Sequence, residues 1–164
     1  MTGIEPQKRN AVRGLIIQND QVLLLKKDGY ETGGVRYALP GGGQDAGESL
    51  ADALKRECEE EIGSSAEVGN LVAVTDFIKQ RATEPVTWRH VVEFLFLCSL
   101  PDDYQPRNGP APDKHQVDVV WMPVARLGEL QLFPQFLNTL IPAITGGQTQ
   151  DIYQGRFVDT GFEE

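Results

Sequence analysis

Fifteen residues, Glu48 to Ile62, do most to limit what this chain can become. They take up a helical period after a glycine triplet, Gly41-Gly42-Gly43, and lose it at Gly63, which suits the left-handed backbone that ends helices. At about 100° per residue, Leu50, Ala51, Leu54, Cys58 and Ile62 line up as the stripe such a helix buries. Glu57 and Glu61 fall inside or beside that stripe, and Glu60 flanks them. Asp52, Lys55 and Glu59 project to the far side, where charges are at ease in water.

Two carboxylates four residues apart on one helix face repel each other, and covering them removes the water that screens them. A divalent cation reverses the sign of that interaction, because hard ions such as Mg²⁺ prefer clustered oxygen donors. A solvated acidic face paired with Lys55 or Arg56 accounts for the same residue types, so position alone does not decide. The preceding glycines add weight. They let the backbone approach a ligand closely, and a carbonyl from that segment can join a metal shell.

Composition narrows the function classes. The chain has 164 residues, a length suited to one domain spanning 1–164. With 15 Lys and Arg against 24 Asp and Glu, the net charge is −9, which argues against a duplex nucleic-acid binder. No apolar run approaches the ~18 residues of a membrane helix, and the first residues lack the apolar core of a signal peptide. Cys58 and Cys98 make neither a metal motif nor a disulfide framework, so a reducing, cytoplasmic location is expected.

Along the chain, residues 10–18 and 21–26 read as strands joined at the turn pair Asn19-Asp20. A short extended piece from Val35 to Leu39 leads to the glycine triplet, read as a loop. Residues 66–79, 88–99 and 117–122 read as further strands, and Pro134 to Ile144 as a second helix. Residues 101–115, rich in Pro, Asp, Asn and Gly, read as a long exposed loop, and the tail after Gly146 as loosely ordered. The expected fold class is α/β (α+β), a mixed sheet covered by helices.

Gly42, Glu48 and Arg56-Glu57-Cys58-Glu59-Glu60-Glu61-Ile62-Gly63-Ser64 resemble the Nudix box, G-x5-E-x7-R-E-U-x-E-E-x-G-U, where U is apolar. All seven fixed polar and glycine positions are present; Cys58 and Ser64 depart at two apolar ones. The resemblance implies the Nudix fold, a curved mixed sheet sandwiched between helices. It also implies hydrolysis of a pyrophosphate bond in a nucleoside diphosphate linked to another moiety, with Mg²⁺ or Mn²⁺ as cofactor. Carried over by residue, Glu57, Glu60 and Glu61 would be metal ligands, with the Gly41 carbonyl as a further one. Glu48 would support them or act as base, and Arg56 would orient the carboxylates. The partner implied is a nucleotide-type small molecule, and a homodimer is compatible with the family.

Substrate choice lies outside the box. The proline typical of ADP-ribose pyrophosphatases would fall near Lys79-Gln80, and the tyrosine of dinucleoside polyphosphate hydrolases near Arg81-Ala82; neither is there. The layout is closest to small ADP-ribose-type or MutT-like proteins, with nucleoside triphosphates as the other substrate class. Glu93 alternates onto the apolar face of Val91, Leu95 and Leu97, where a carboxylate needs a partner: metal, substrate or a salt bridge. His90 lies on the opposite face and reads as satisfied or exposed. Asp113, His115 and Asp118 sit where some relatives carry a catalytic carboxylate, though a solvated loop is the plainer reading. Tyr37, Phe77 and Trp88 are candidates to stack a base, and Lys26, Lys27 and Arg36 to meet phosphates; core packing and surface charge are the plainer readings. A Nudix-fold nucleotide sensor without turnover is the alternative class. A calcium-loop protein fits poorly, because the acids ride one helix face.

Overall fold

The computed structural model describes residues 2–163. Strand β1 (Arg9–Gln18) turns through Asn19 and Asp20, both at positive φ, into β2 (Gln21–Lys27). Two consecutive left-handed residues make the tight turn whose twist matches antiparallel strands, and Asn and Asp tolerate that conformation best. β3 (Arg36–Ala38) and β4 (Gly41–Gly43) follow, then α1 (Leu50–Ile62), β5 (Glu67–Arg81), β6 (Thr87–Ser99) and β7 (Gln116–Pro123). A 3₁₀ turn (Val124–Glu129), β8 (Leu132–Phe133), α2 (Leu137–Thr145) and β9 (Tyr153–Glu163) complete the chain.

The strands form one mixed sheet in the order β8-β3-β2-β1-β6-β5-β9, with β4 joined to β1 and β7 to β2. The pairing of β1 with β6 is parallel, and its register sets Ala11 beside Glu93 and Arg13 beside Leu95. Because side chains alternate across a strand, β1 feeds two cores. Val12 and Ile16 pack with Leu54, Cys58 and Ile62 beneath α1; Leu15 packs with Leu24, Leu39, Leu95, Leu140 and Ile141 beneath α2. The sheet is thus sandwiched between the two helices, as expected. Among the described residues no helix is long and apolar enough to cross a membrane.

Several boundaries differ from the sequence reading. The glycine triplet is not a loop: Gly41, Gly42 and Gly43 pair antiparallel with Arg13, Val12 and Ala11. α1 begins two residues after Glu48, because Ser49 is its cap, accepting the Asp52 amide at 3.0 Å. α2 begins at Leu137 rather than Pro134. The tail is not loose: β9 adds to β5 in parallel and places Phe157 in a stack on Phe136, with centroids 4.4 Å apart. Its weak pattern reflects an edge strand with one face in solvent.

Candidate active site

Gly41 and Gly42 are required by close approach. A Cβ on Gly41, whose φ is 143°, would lie 1.9 Å from the Val12 carbonyl oxygen; one on Gly42 would lie 2.5 Å from Glu57 Oε1. The bare backbone brings β4 against the carboxylate face of α1, and the Gly41 amide donates to Glu61 Oε1 at 2.7 Å. Glu61 is 2% exposed, and its Oε2 is buried with no hydrogen-bond partner. Burial pushes its carboxyl up to about 8; the Gly41 amide opposes the shift, while the nearby charges of Asp113 and Glu57 add to it.

Arg56 gathers the remaining acids. Its Nε and Nη2 hold the two Glu48 oxygens at 3.1 and 2.7 Å, and Nη1 donates to Glu57 Oε1 at 3.1 Å. Nη1 also stands 3.5 Å from Glu60 Oε2, and Nη2 donates to the Gly43 carbonyl at 3.0 Å. The two-pronged hydrogen bond from Arg56, helped by the Asp45 amide, keeps Glu48 below the usual carboxylate range. Glu57 is raised instead, because burial outweighs Arg56. Among the described residues no group of three or more His, Cys, Asp or Glu is poised as it stands to hold a metal ion. Arg56 stands at ion-pair distance from Glu57 and Glu60. The donor set nonetheless suits a hard cation: an orphaned buried oxygen on Glu61, with Glu60 beside it in sequence and Glu57 one turn back.

The loop of residues 101–115 is exposed along much of its length, yet it straps the end of α1. Tyr104 Oη donates to the Ile62 carbonyl at 2.8 Å and Arg107 to that of Gly63. The amides of Gly109 and Ala111 donate to Glu61 and Glu60 carbonyls, each at 2.9 Å. The last carbonyls of a helix have no partner within it; here the loop supplies them. The same loop brings Asp113 to Lys27 Nζ, 2.5 Å away. Burial opposes ionisation of Asp113, but Lys27 prevails and its pKa is lowered.

Glu93 lies on the other face of the sheet. It is 4% exposed, and its Oε1 is 3.6 Å from Arg13 Nε. Glu93 Oε1 and Thr75 Oγ1 are buried without hydrogen bonds, facing a small cavity closed by Phe136 and Leu137. Arg13 Nη1 also donates to the Gly41 carbonyl at 3.0 Å, so this ion pair touches the box through one backbone atom. Arg13 was missed from the sequence, although it alternates with Leu15 just as Glu93 does with Leu95. Gln116, buried at the start of β7, carried no signal at all.

The other candidates disperse. His90 is satisfied by Asp76 at 2.6 Å, and Asp76 also accepts from Tyr153. Phe77 is a core residue set edge-on to Phe133 and Phe136, and Tyr37 packs in the core beneath α2. Trp88 is half-buried at the start of β6, its main chain bonded to Gly3 and Glu5. Arg36 covers the Tyr30 ring at 3.8 Å, and Tyr30 stacks on His115. Asp118 is exposed and turns back on the Val119 amide, and Lys26 is half-buried in β2.

An acidic helix held against a glycine strand on a sandwiched mixed sheet is a recognisable class of site, and comparison with known proteins agrees. The NUDIX domain model matches residues 7–144, and the chain belongs to that family. It is 31% identical over 97 residues to a putative ADP-ribose pyrophosphatase of Bacillus subtilis, covering 59% of this chain and 44% of that one. It is 44% identical over 74 residues to an RNA pyrophosphohydrolase of Ruthia magnifica, covering 44% and 39%. The chain thus spans less than half the length of these relatives. A NUDIX hydrolase structure from Nitrosomonas europaea aligns with TM-score 0.69 at 20% identity, covering 94% of this chain and 82% of that one. An ADP-ribose pyrophosphatase from Streptococcus suis aligns with TM-score 0.59 at 21% identity, covering 92% and 98%. At that identity both support the fold alone.

Proposed function

We propose that this chain hydrolyses a pyrophosphate bond in a nucleoside diphosphate linked to another moiety, with Mg²⁺ or Mn²⁺ as cofactor. The substrate is of the ADP-ribose or nucleoside triphosphate kind. One observation carries the reading: Glu61 presents a buried, unpartnered carboxylate oxygen beside Glu57 on a helix face that cannot be left uncompensated. Glu57, Glu60 and Glu61 would hold the cation, with the Gly41 carbonyl as a fourth oxygen donor if Arg13 yields it. A bound divalent ion supplies charge for the phosphoryl oxygens and lowers the pKa of water.

The chain's own groups supply the order. Arg56 fixes Glu48 and Glu57 in a rigid fork, so the carboxylates present fixed oxygens and do not search rotamers. Both Glu48 oxygens accept from Arg56, and one also accepts the Asp45 amide at 2.8 Å, which favours an orienting role over that of base. Glu93 is sealed beside Arg13 and also serves better as a fixed charge. Asp113, paired with Lys27 on the loop that straps the end of α1, is the remaining base candidate.

The test is incubation with Mg²⁺ or Mn²⁺ and ADP-ribose, nucleoside triphosphates, dinucleoside polyphosphates and a capped-RNA analogue, with products resolved by phosphorus NMR. Metal-dependent cleavage of one member, absent in Glu61→Gln, supports the hydrolase and identifies the attacked bond. Saturable binding without cleavage of any member moves the reading to a nucleotide sensor.

A further inference from the structure

α1 ends at Ile62, so the Glu61 carbonyl has no donor four residues on. Two donors from outside the helix take it instead: the Gly109 amide at 2.9 Å and Gln116 Nε2 at 2.8 Å. Gln116 is 9% exposed, and every polar atom of its amide is engaged. Nε2 also donates to Asn108 Oδ1 at 3.0 Å, and Oε1 accepts the Asp113 amide at 3.0 Å. One side chain therefore ties the last turn of α1, which carries Glu60 and Glu61, to the loop turn that carries Asp113. From the opposite side Glu61 is held by its carboxylate on the Gly41 amide. Its backbone depends on Gln116, and its side chain on β4.

From this we infer that Gln116 is a positioning residue: it sets the last turn of α1 so that the Glu61 carboxylate stays on the Gly41 amide. The inference rests on the reading of Glu61 as a working carboxylate. A buried Gln that served stability alone would require only that its hydrogen bonds be made somewhere. Gln116 instead spends one of its two donors on the carbonyl of Glu61, a residue whose carboxylate bears a buried oxygen without a hydrogen bond. Losing that donor leaves the Glu61 carbonyl with the Gly109 amide alone and cuts the tie between the helix end and the turn that carries Asp113. Displacement of a working group by about 1 Å is enough to cost on the order of 100-fold in rate.

The Gly41 amide reports the position of Glu61 without metal or substrate. Its hydrogen exchange and proton shift would be measured by NMR in the wild type, Gln116→Ala, Gln116→Glu and Ser49→Ala. Gln116→Glu keeps the volume but replaces the donor with an oxygen that repels the Glu61 carbonyl, and it serves if the alanine variant folds poorly. Ser49→Ala weakens the other end of the same helix and controls for lost stability. The expected result is at least tenfold faster Gly41 exchange, with an upfield shift, in both Gln116 variants, and a change under twofold in Ser49→Ala. With a cleaved substrate in hand, kcat falls at least tenfold in the Gln116 variants while KM stays within about threefold. Unchanged Gly41 exchange in the Gln116 variants, or an equal change in Ser49→Ala, overturns the inference; so does a raised KM with kcat intact. A Gly41 response in a wild type that cleaves nothing leaves the positioning role standing and removes the hydrolase reading instead.

Discussion

The two ends of α1 are held in opposite ways. At the start, Ser49 caps the amide of Asp52, three residues away, and the neighbouring Glu48 is pinned by Arg56 from within the same helix. At the finish, the carbonyls of Glu60 to Gly63 are taken by Tyr104, Arg107, Gly109, Ala111 and Gln116, which lie 42 to 55 residues away where the separations are shortest and longest among the side-chain bonds. The start is local chemistry that any helix can carry. The finish is tertiary, and it is the end that bears Glu60 and Glu61. A helix whose acids were only solvated decoration would not need its last turn fastened by a distant loop.

The largest expected effect is at the fastened end. Glu61→Gln keeps the shape and the contact with the Gly41 amide but removes the carboxylate that a cation would draw into its ionised form, so turnover should fall by about 100-fold or more, with the circular dichroism spectrum unchanged. Near-normal turnover in the folded variant would remove Glu61 from the site. Next comes Gly109→Ala. Its Cβ would lie 2.3 Å from the Glu60 carbonyl oxygen and 2.7 Å from the Gly63 nitrogen, so the strap must move off the helix. Denaturant unfolding should show a loss of about 1–3 kcal/mol, and kcat should drop with it. If stability falls and kcat does not, the strap is a staple and nothing more.

A smaller effect is expected at the local end. Ser49→Ala removes one cap and should cost about 1 kcal/mol by the same unfolding measurement, with kcat preserved. A matching loss of kcat would erase the contrast between the two ends. The smallest effect tests a region remote from both. Hydrogen bonds from Arg81 and Arg89 hold Glu5 down to about 2, against an unfolded value of 4.5. A depressed carboxylate contributes stability that is complete above the unfolded value and fades as pH falls toward the folded one. The difference in thermal midpoint between wild type and Glu5→Gln should therefore be constant above pH 5, worth about 1 kcal/mol or less. It should shrink between pH 4.5 and 2. A difference that grows in acid would contradict this ion-pair assignment.

Much of the local end was legible from residues alone. The wheel placed Glu57 and Glu61 on the buried side, and the structure leaves Glu61 2% exposed. Gly63 stops the helix at φ 67°, as its position indicated. Arg56 was expected to orient the carboxylates, and it hydrogen-bonds Glu48 and Glu57. The glycine triplet was harder to read. Absence of a side chain fits a loop and a strand jammed against a neighbour equally well, and only the pairing of the triplet with β1 separates the two. The tail went unread because an edge strand need satisfy only one neighbour and one face.

By itself the sequence determined the class of the site: a glycine segment, a helix and five charged groups at fixed spacing, all within 23 residues. Such features follow from helical period and residue chemistry, which act over a few residues and need no knowledge of the fold. Only the tertiary structure decided what surrounds them. Arg13 reaches the Gly41 carbonyl, Asp113 pairs with Lys27, and Gln116 fastens the helix end across 55 residues of chain. Those contacts depend on sheet register and loop closure. A polar residue that will be buried and satisfied at long range has no local pattern to mark it.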